Sequence, residues 1–169
     1  MYYRLKSFLA KCNILNDSQY GSREKRSTEH AILDIISQIE NYMDKKMYSC
    51  GIFIKLKKAF DTVDHSILLQ KLNHYGIRGT VSKWFASCLV GRQQTTQIGV
   101  KNISKKEVLL SGVPQGSVLG PLLFLIYIDD ISNSSNRFKF YLFADDTNLL
   151  YADKNLKLLE TIHSMKRQI

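Results

Sequence analysis

Two adjacent carboxylates, Asp145 and Asp146, lie between the apolar stretches KFYLF and NLLY. Charges next to a core are costly to desolvate unless something pairs them. A hairpin turn holding both at a sheet edge makes a site for a hard divalent cation, because carboxylate oxygens suit Mg²⁺ or Mn²⁺. The same pair also fits a solvated β-turn, where Asp is common, and the residues alone leave both readings open. The second chemical feature is Ser111–Pro121, which holds both prolines of the chain and three of its nine glycines. Backbone in such a loop can approach a ligand closely, and the helix start after it offers free N–H groups to a phosphate or a template strand. No Gly-Lys-Ser/Thr follows, so it is not a P-loop. Its competing reading is a structural strand-to-helix connection.

Other site chemistries find no support. His30, His65, His74 and His163 are scattered, and Cys12, Cys50 and Cys88 form no Cys-x-x-Cys pair. Neither a zinc site nor a disulfide framework is expected, and reduced thiols point to an intracellular protein, nuclear or cytoplasmic. Asp61-Thr62 and Asp146-Thr147 lack the glycine that an aspartic protease motif requires.

These features need elements to position them. Tyr2–Leu15 has helical spacing through Leu5, Phe8, Leu9 and Cys12. Gln19–Thr28 is a polar, basic loop, and Ser27-Thr28-Glu29 opens a helix with a hydroxyl cap; the helix runs to about Met43 with Ala31, Ile32, Ile35, Ile36 and Ile39 on one face. Ser49–Leu56 alternates and is predicted to be a central strand. Asp61–His65 is a turn that caps a helix from Ser66 to Tyr75, ended by Gly76. Thr80–Val90 is a further helix. Thr95–Val100 and Glu107–Ser111 are predicted to pair around a Lys-rich turn. A buried helix, Leu122–Ile131, precedes strands Phe138–Leu142 and Asn148–Tyr151, joined by Phe143–Thr147. A last amphipathic helix begins near Leu156. This mixed order predicts an α+β fold, with helices backing an antiparallel sheet.

At 169 residues the chain suits one globular domain. Lys and Arg number 24 against 15 Asp and Glu, a net charge of +9 that favours a polyanionic partner such as nucleic acid. The longest apolar run, Pro121–Ile128, is far shorter than the roughly 20 residues of a membrane span, and Met1–Lys11 carries no signal peptide.

Four blocks, in order and spacing, resemble the reverse transcriptases of non-LTR (LINE-type) retrotransposons. They are Gln19–Thr28 (QYGSREKRST), Phe53–His65 (FIKLKKAFDTVDH), Ser111–Asp130 (SGVPQGSVLGPLLFLIYIDD) and Phe143–Asp146 (FADD). The resemblance implies a right-hand polymerase palm with a partial fingers segment and no thumb. Residues 1–48 would belong to the fingers, 49–153 to the palm, and 154–169 to the start of a truncated C-terminal helix. It implies two-metal phosphoryl transfer, with Mg²⁺ ions stabilising the attacking and leaving oxygens, and as partners an RNA template, a DNA primer and a deoxynucleoside triphosphate. By position, Asp145 matches a direct metal ligand and Asp146 its neighbour. Phe60 matches the residue that screens the sugar 2′ hydroxyl, and Pro114, Gln115 and Gly116 match the loop lining the nucleotide and template pocket. Arg23 and Arg26 match a basic segment able to meet the nucleic-acid backbone.

This chain departs from the pattern at one decisive place. The family pattern Asp-x-x-x-x-Phe-Asp puts a further metal ligand five residues before Phe60, and that position is Lys55. An ammonium replacing a carboxylate turns attraction to a dication into repulsion. At an effective dielectric of about 20 and about 4 Å, each unit pair is worth roughly 4 kcal/mol, so the swap costs on the order of 10 kcal/mol before relaxation. Asp61, six residues on, would be roughly 20 Å away along an extended strand. Lys55 is expected instead to pair with Asp145 and stand in for the metal, against the alternative that it lies on an exposed strand face without a role. Ser22 replaces a usual Phe, and the upstream fingers strands, the thumb and any endonuclease are expected to lie outside this chain. The expectation is therefore a catalytically dead remnant with doubtful Mg²⁺ binding, against the alternative of a non-catalytic nucleic-acid-binding module. A further expectation is that an apolar face at Leu156–Ile162 lacks its partner, an aggregation hazard.

Overall fold

Two side chains open their helices as their positions require. Ser27 Oγ accepts the His30 N–H at 3.3 Å, and Asp64 Oδ1 accepts the Ser66 and Ile67 N–H groups at 2.8 and 3.0 Å, satisfying donors with no partner inside a helix. The structure, a computed structural model, describes residues 1–99 and 102–165. Its elements are α1 (Tyr2–Lys11), α2 (Thr28–Asp44), β1 (Tyr48–Lys55), α3 (His65–His74), α4 (Gly79–Leu89), β2 (Gln93–Gln94), β3 (Gln97–Ile98), β4 (Asn102–Ile103), β5 (Glu107–Val108), α5 (Gly120–Ile128), β6 (Lys139–Phe143), β7 (Asp146–Asp153) and α6 (Leu156–Met165), with a 3₁₀ turn at Asp129–Ser134. They form two units. One comprises Met1–Leu15 and Lys58–Ile128, the other Asn16–Lys57 and Asp129–Ile169.

The second unit holds the main sheet, antiparallel in the order β1-β7-β6. The strand predicted to be central, β1, is an edge. Of its residues only Ile52 is buried, while Phe53 is 69% exposed. An alternating strand has one wet face, whereas every residue of β7 is buried or half-buried and takes the middle. The hairpin is also tighter than predicted. Phe143 pairs with Asp146, so the turn is Ala144-Asp145 alone, and Asp146 is a strand residue. Such a two-residue turn needs positive φ, which Ala144 supplies at +53°.

Helix α2 packs on β1 and β6. Ala31, Ile35, Ile39 and Tyr42 lie against Tyr20, Tyr141 and Leu150, while Ile32 and Ile36 remain exposed. Helix α6 packs on β1 and β7 and buries Leu159. The face expected to be unpartnered thus has a partner at Leu159, with Leu156 and Leu158 left exposed. On β7, Thr147 is 2% exposed and its Oγ1 finds no partner among the described residues. A buried hydroxyl with no partner is destabilising. Thr147→Val, of nearly the same shape, is expected to raise stability by about 1 kcal/mol, read as a higher denaturant midpoint at unchanged slope. A lower midpoint would show that the hydroxyl is satisfied in solution.

In the first unit, α5 is apolar on all sides, and Leu122, Leu123, Phe124, Leu125, Ile126 and Ile128 are all buried. It packs on α3, and α3 on α4. Helix α5 ends at Ile128, short of the predicted Ile131. Gly76 terminates α3 at φ +94° as expected. The predicted strand pair resolves into two short ladders, β2 with β5 and β3 with β4, so Glu107 faces Gln94 rather than the 95–100 stretch. Val100, the last residue of that predicted strand, lies outside the described residues.

Candidate active site

Strand register brings two charged residues of the second unit together. Lys55 and Asp146 are Cα partners across β1 and β7, and Lys55 Nζ stands 3.4 Å from Asp146 Oδ1. The pairing partner is Asp146, not the expected Asp145. The hairpin turn is two residues shorter at that end than predicted, because both Asp146 and Thr147 are strand residues, so Asp146 enters the ladder directly opposite Lys55. Asp145 stays in the turn, half-buried, and its carbonyl accepts the Leu56 N–H at 3.4 Å. The ion pair is wet: the Lys55 and Asp146 side chains are 77% and 48% exposed. Solvent screening brings such pairs to about 0–1 kcal/mol, far below the figure obtained for a dielectric of about 20. The repulsion of Lys55 toward a cation placed beside Asp146 is reduced by water in the same way.

The donor set does not fit Mg²⁺ as it stands. Among the described residues no three acid, His or Cys side chains converge, and one of the two adjacent carboxylates is matched to an ammonium. A hard dication prefers several oxygen ligands.

The first unit brings two of the motif blocks together. The Gly112 N–H donates to Val63 O at 2.7 Å and the Val113 N–H to Phe60 O at 2.8 Å. Ser111 Oγ donates to Asp61 O at 2.9 Å, and Gln115 Nε2 to Asp61 Oδ1 at 3.0 Å. Buried His65 donates from Nε2 to Gly112 O at 2.7 Å. Positive φ at Gly112 (+92°) and Gly116 (+76°) lets the loop turn. Ser117 Oγ then accepts the Gly120 N–H at 2.9 Å and starts α5. Phe60 stacks on Phe124 at 4.6 Å between centroids. Beside this stitched loop, Asp61, Arg92, Gln94 and residues 108–115 line a cleft of about 650 Å³. Pro114 is half-buried, and Gln115 and Gly116 are exposed. From sequence, Asp61 enters only as a substitute acid and is set aside, and His65 and Arg92 are given no role; Asp61 and His65 lie inside a motif block, whereas Arg92 does not.

Arg23 and Arg26 are engaged within their own unit. Arg23 Nη1 donates to Asn16 O at 2.7 Å and lies 3.6 Å from Asp17, and Arg26 Nη2 lies 3.1 Å from the same carboxylate. The Arg26 guanidinium also covers the Tyr20 ring at 4.9 Å. Tyr20 OH donates to Asp34 Oδ2 at 2.5 Å. Burial, then the hydrogen bond and charge of Asp34, push this hydroxyl up to about 12 from 10.0. Burial raises Tyr141 as well. A raised phenol favours folding fully below the unfolded value near 10, and the benefit is lost as pH climbs through the folded value near 12. Tyr20→Phe is expected to flatten the loss of stability between about pH 10 and pH 12, measured by urea unfolding. An unchanged alkaline slope would show that Tyr20 does not carry it.

Comparison with known proteins adds to this geometry. The family profile described as reverse transcriptase (RNA-dependent DNA polymerase) matches residues 1–169. The chain is 32% identical over 162 residues to a probable RNA-directed DNA polymerase from transposon BS of Drosophila melanogaster, covering 88% of this chain and 17% of that protein. It is 30% identical over 118 residues to the RNA-directed DNA polymerase from mobile element jockey of Drosophila funebris, covering 69% of this chain and 13% of that one. It therefore spans only a small part of the length of these relatives. Apo telomerase from Candida tropicalis, truncated from its C-terminal domain, superposes with a TM-score of 0.64 over 96% of this chain and 35% of that chain, at 12% identity. At that identity the likeness concerns the fold alone, and it is the palm-type α+β fold expected from the motifs.

Proposed function

This chain belongs to the reverse transcriptase family, on its non-LTR, LINE-type branch, and from that membership we propose that it is a palm-bearing portion of an RNA-directed DNA polymerase that has lost nucleotidyl transfer. The observation that carries the reading is Lys55 Nζ at 3.4 Å from Asp146, at the position to which the motif resemblance assigns a carboxylate ligand. Members of the family use divalent metal ions. A site left with Asp145 and a lysine-matched Asp146 holds such an ion too weakly for two-metal chemistry.

The remaining residues would take binding roles toward an RNA template, a DNA primer and an incoming deoxynucleoside triphosphate. Phe60, held flat by Phe124, would screen the sugar edge. Pro114, Gln115 and Gly116 would line the nucleotide and template side, with Gln115 steered by Asp61. Arg23 and Arg26 would reach backbone phosphates by exchanging Asp17, whose side chain is 80% exposed. Residues 1–48 as partial fingers, 49–153 as palm and 154–169 as the start of a C-terminal helix belong to the same reading.

Primer extension on an RNA template, with Mg²⁺ or Mn²⁺ and purified chain, is expected to give no product. Template-dependent DNA synthesis would refute the loss of activity. The +9 net charge favours a second reading, a non-catalytic module that still binds nucleic acid. It requires binding to RNA or an RNA–DNA hybrid that weakens steeply as salt rises. No measurable binding at low salt disposes of it.

A further inference from the structure

The turn that carries Asp145 leans on a segment distant in sequence. Residues Ser18–Tyr20 run beside β6 as a short parallel bridge, Gln19 opposite Leu142. The Leu142 N–H donates to Ser18 O, and the Tyr20 N–H to Leu142 O, both at 2.8 Å. From this bridge the Gln19 side chain, 1% exposed, reaches the turn. Its Oε1 accepts the Ala144 N–H at 3.2 Å and the Gly21 N–H at 2.9 Å. Both neighbours are backbone donors, so the amide orientation is unambiguous. Its Nε2 has no partner among the described residues. Burial alone would be met better by Leu or Met, which leave no donor unpaired. What distinguishes glutamine here is the acceptor it offers to the turn.

Gly21 completes the contact. A Cβ there would lie 2.6 Å from Ala144 N and 3.1 Å from Phe143 C, so the backbone of residue 21 touches the turn directly. Ala144 itself sits at φ +53°, a conformation alanine rarely adopts unless its surroundings hold it.

We infer that Gln19, with Gly21 packed beneath the turn, is a positioning residue that fixes the Ala144–Asp145 backbone and so aims the Asp145 carboxylate. Its bearing on the acid site rests on the reading of Asp145 given above, while the hold on the turn does not. A carboxamide oxygen two residues before a glycine thus performs the task that a third ladder bond would perform in a longer hairpin.

Hydrogen exchange of ¹⁵N-labelled chain tests the hold. The Ala144 amide is expected to be protected in the wild type, although it lies in a turn, and fast exchange there overturns the inference without any variant. Gln19→Met is expected to speed Ala144 exchange by about tenfold, the scale of one lost hydrogen bond, while Leu142 stays protected. Gln19→Glu, which keeps the acceptor, is expected to restore it. Equal exchange in wild type and Gln19→Met overturns the inference. The aiming role is tested by Mn²⁺ titration of Lys55→Asp with and without Gln19→Met. A several-fold weaker affinity in the double variant supports it, and equal affinity reduces Gln19 to a structural part. If Lys55→Asp alone binds no Mn²⁺, the acid-site reading and the aiming role both fall, and the exchange results still decide the hold on the turn.

Discussion

Lys55→Asp is expected to bind Mn²⁺ at least about 30-fold more tightly than the wild-type chain, a difference of about 2 kcal/mol. The size follows from charge and exposure. The substitution changes the local charge by two units toward a doubly charged ion. At about 4 Å in bulk water each unit pair is worth about 1 kcal/mol, giving about 4 kcal/mol before ionic screening, of which roughly half survives at ordinary salt. The bulk-water dielectric is the right one because Lys55 is 77% exposed. Lys55→Met separates the contributions: it removes the ammonium but adds no ligand, so its affinity should fall between the two. Stability offers an independent readout. Lys55→Asp sets like charges directly opposite in the β1–β7 ladder, which is destabilising. Its Tm should lie below wild type without metal and recover as Mn²⁺ rises, since a ligand that binds only the folded state stabilises it. Equal Mn²⁺ affinities in wild type and Lys55→Asp would show that position 55 is not part of a cation site.

Gly112→Ala is expected to cost about 3 kcal/mol or more, because it combines positive-φ strain with a clash that cannot relax cheaply. For a chain of this size that corresponds to a Tm lowered by roughly 10 °C. Gly112 sits at φ +92°, and an added Cβ would lie 2.9 Å from both Cα and O of Asp61, which are backbone atoms. The same residue donates to Val63 O and accepts from His65. Moving it therefore unpicks the stitching of the 111–116 loop onto the 60–65 turn. Gly116→Ala is the control. It too has positive φ, +76°, but open space surrounds its Cβ position, so the backbone penalty of about 1–2 kcal/mol stands alone. Thermal unfolding of the two variants side by side measures the difference. Equal losses would mean that the close approach to Asp61 is not present in solution.

Local features could be read before any coordinates because the interactions behind them span only a few residues. The Ser27 cap acts on His30 three positions away, Asp64 acts on Ser66 and Ile67, and Gly76 closes α3 within one turn. The acid pair in a hairpin and the Gly-Pro loop before an apolar helix are of the same kind, as is the order of motif blocks that marks the family. Charge composition is additive and needs no fold. Contacts between distant segments are different, because they depend on which strand takes the middle of the sheet. Once β7 did so, β1 became an edge, its register set Lys55 against Asp146, and the shortened turn left Asp145 on its own. Gln19 met Ala144 across 125 positions, a contact with no periodicity or spacing rule to announce it. A pattern of side chains specifies what each segment prefers, whereas partners far apart in the chain are chosen by the packing of whole elements against one another.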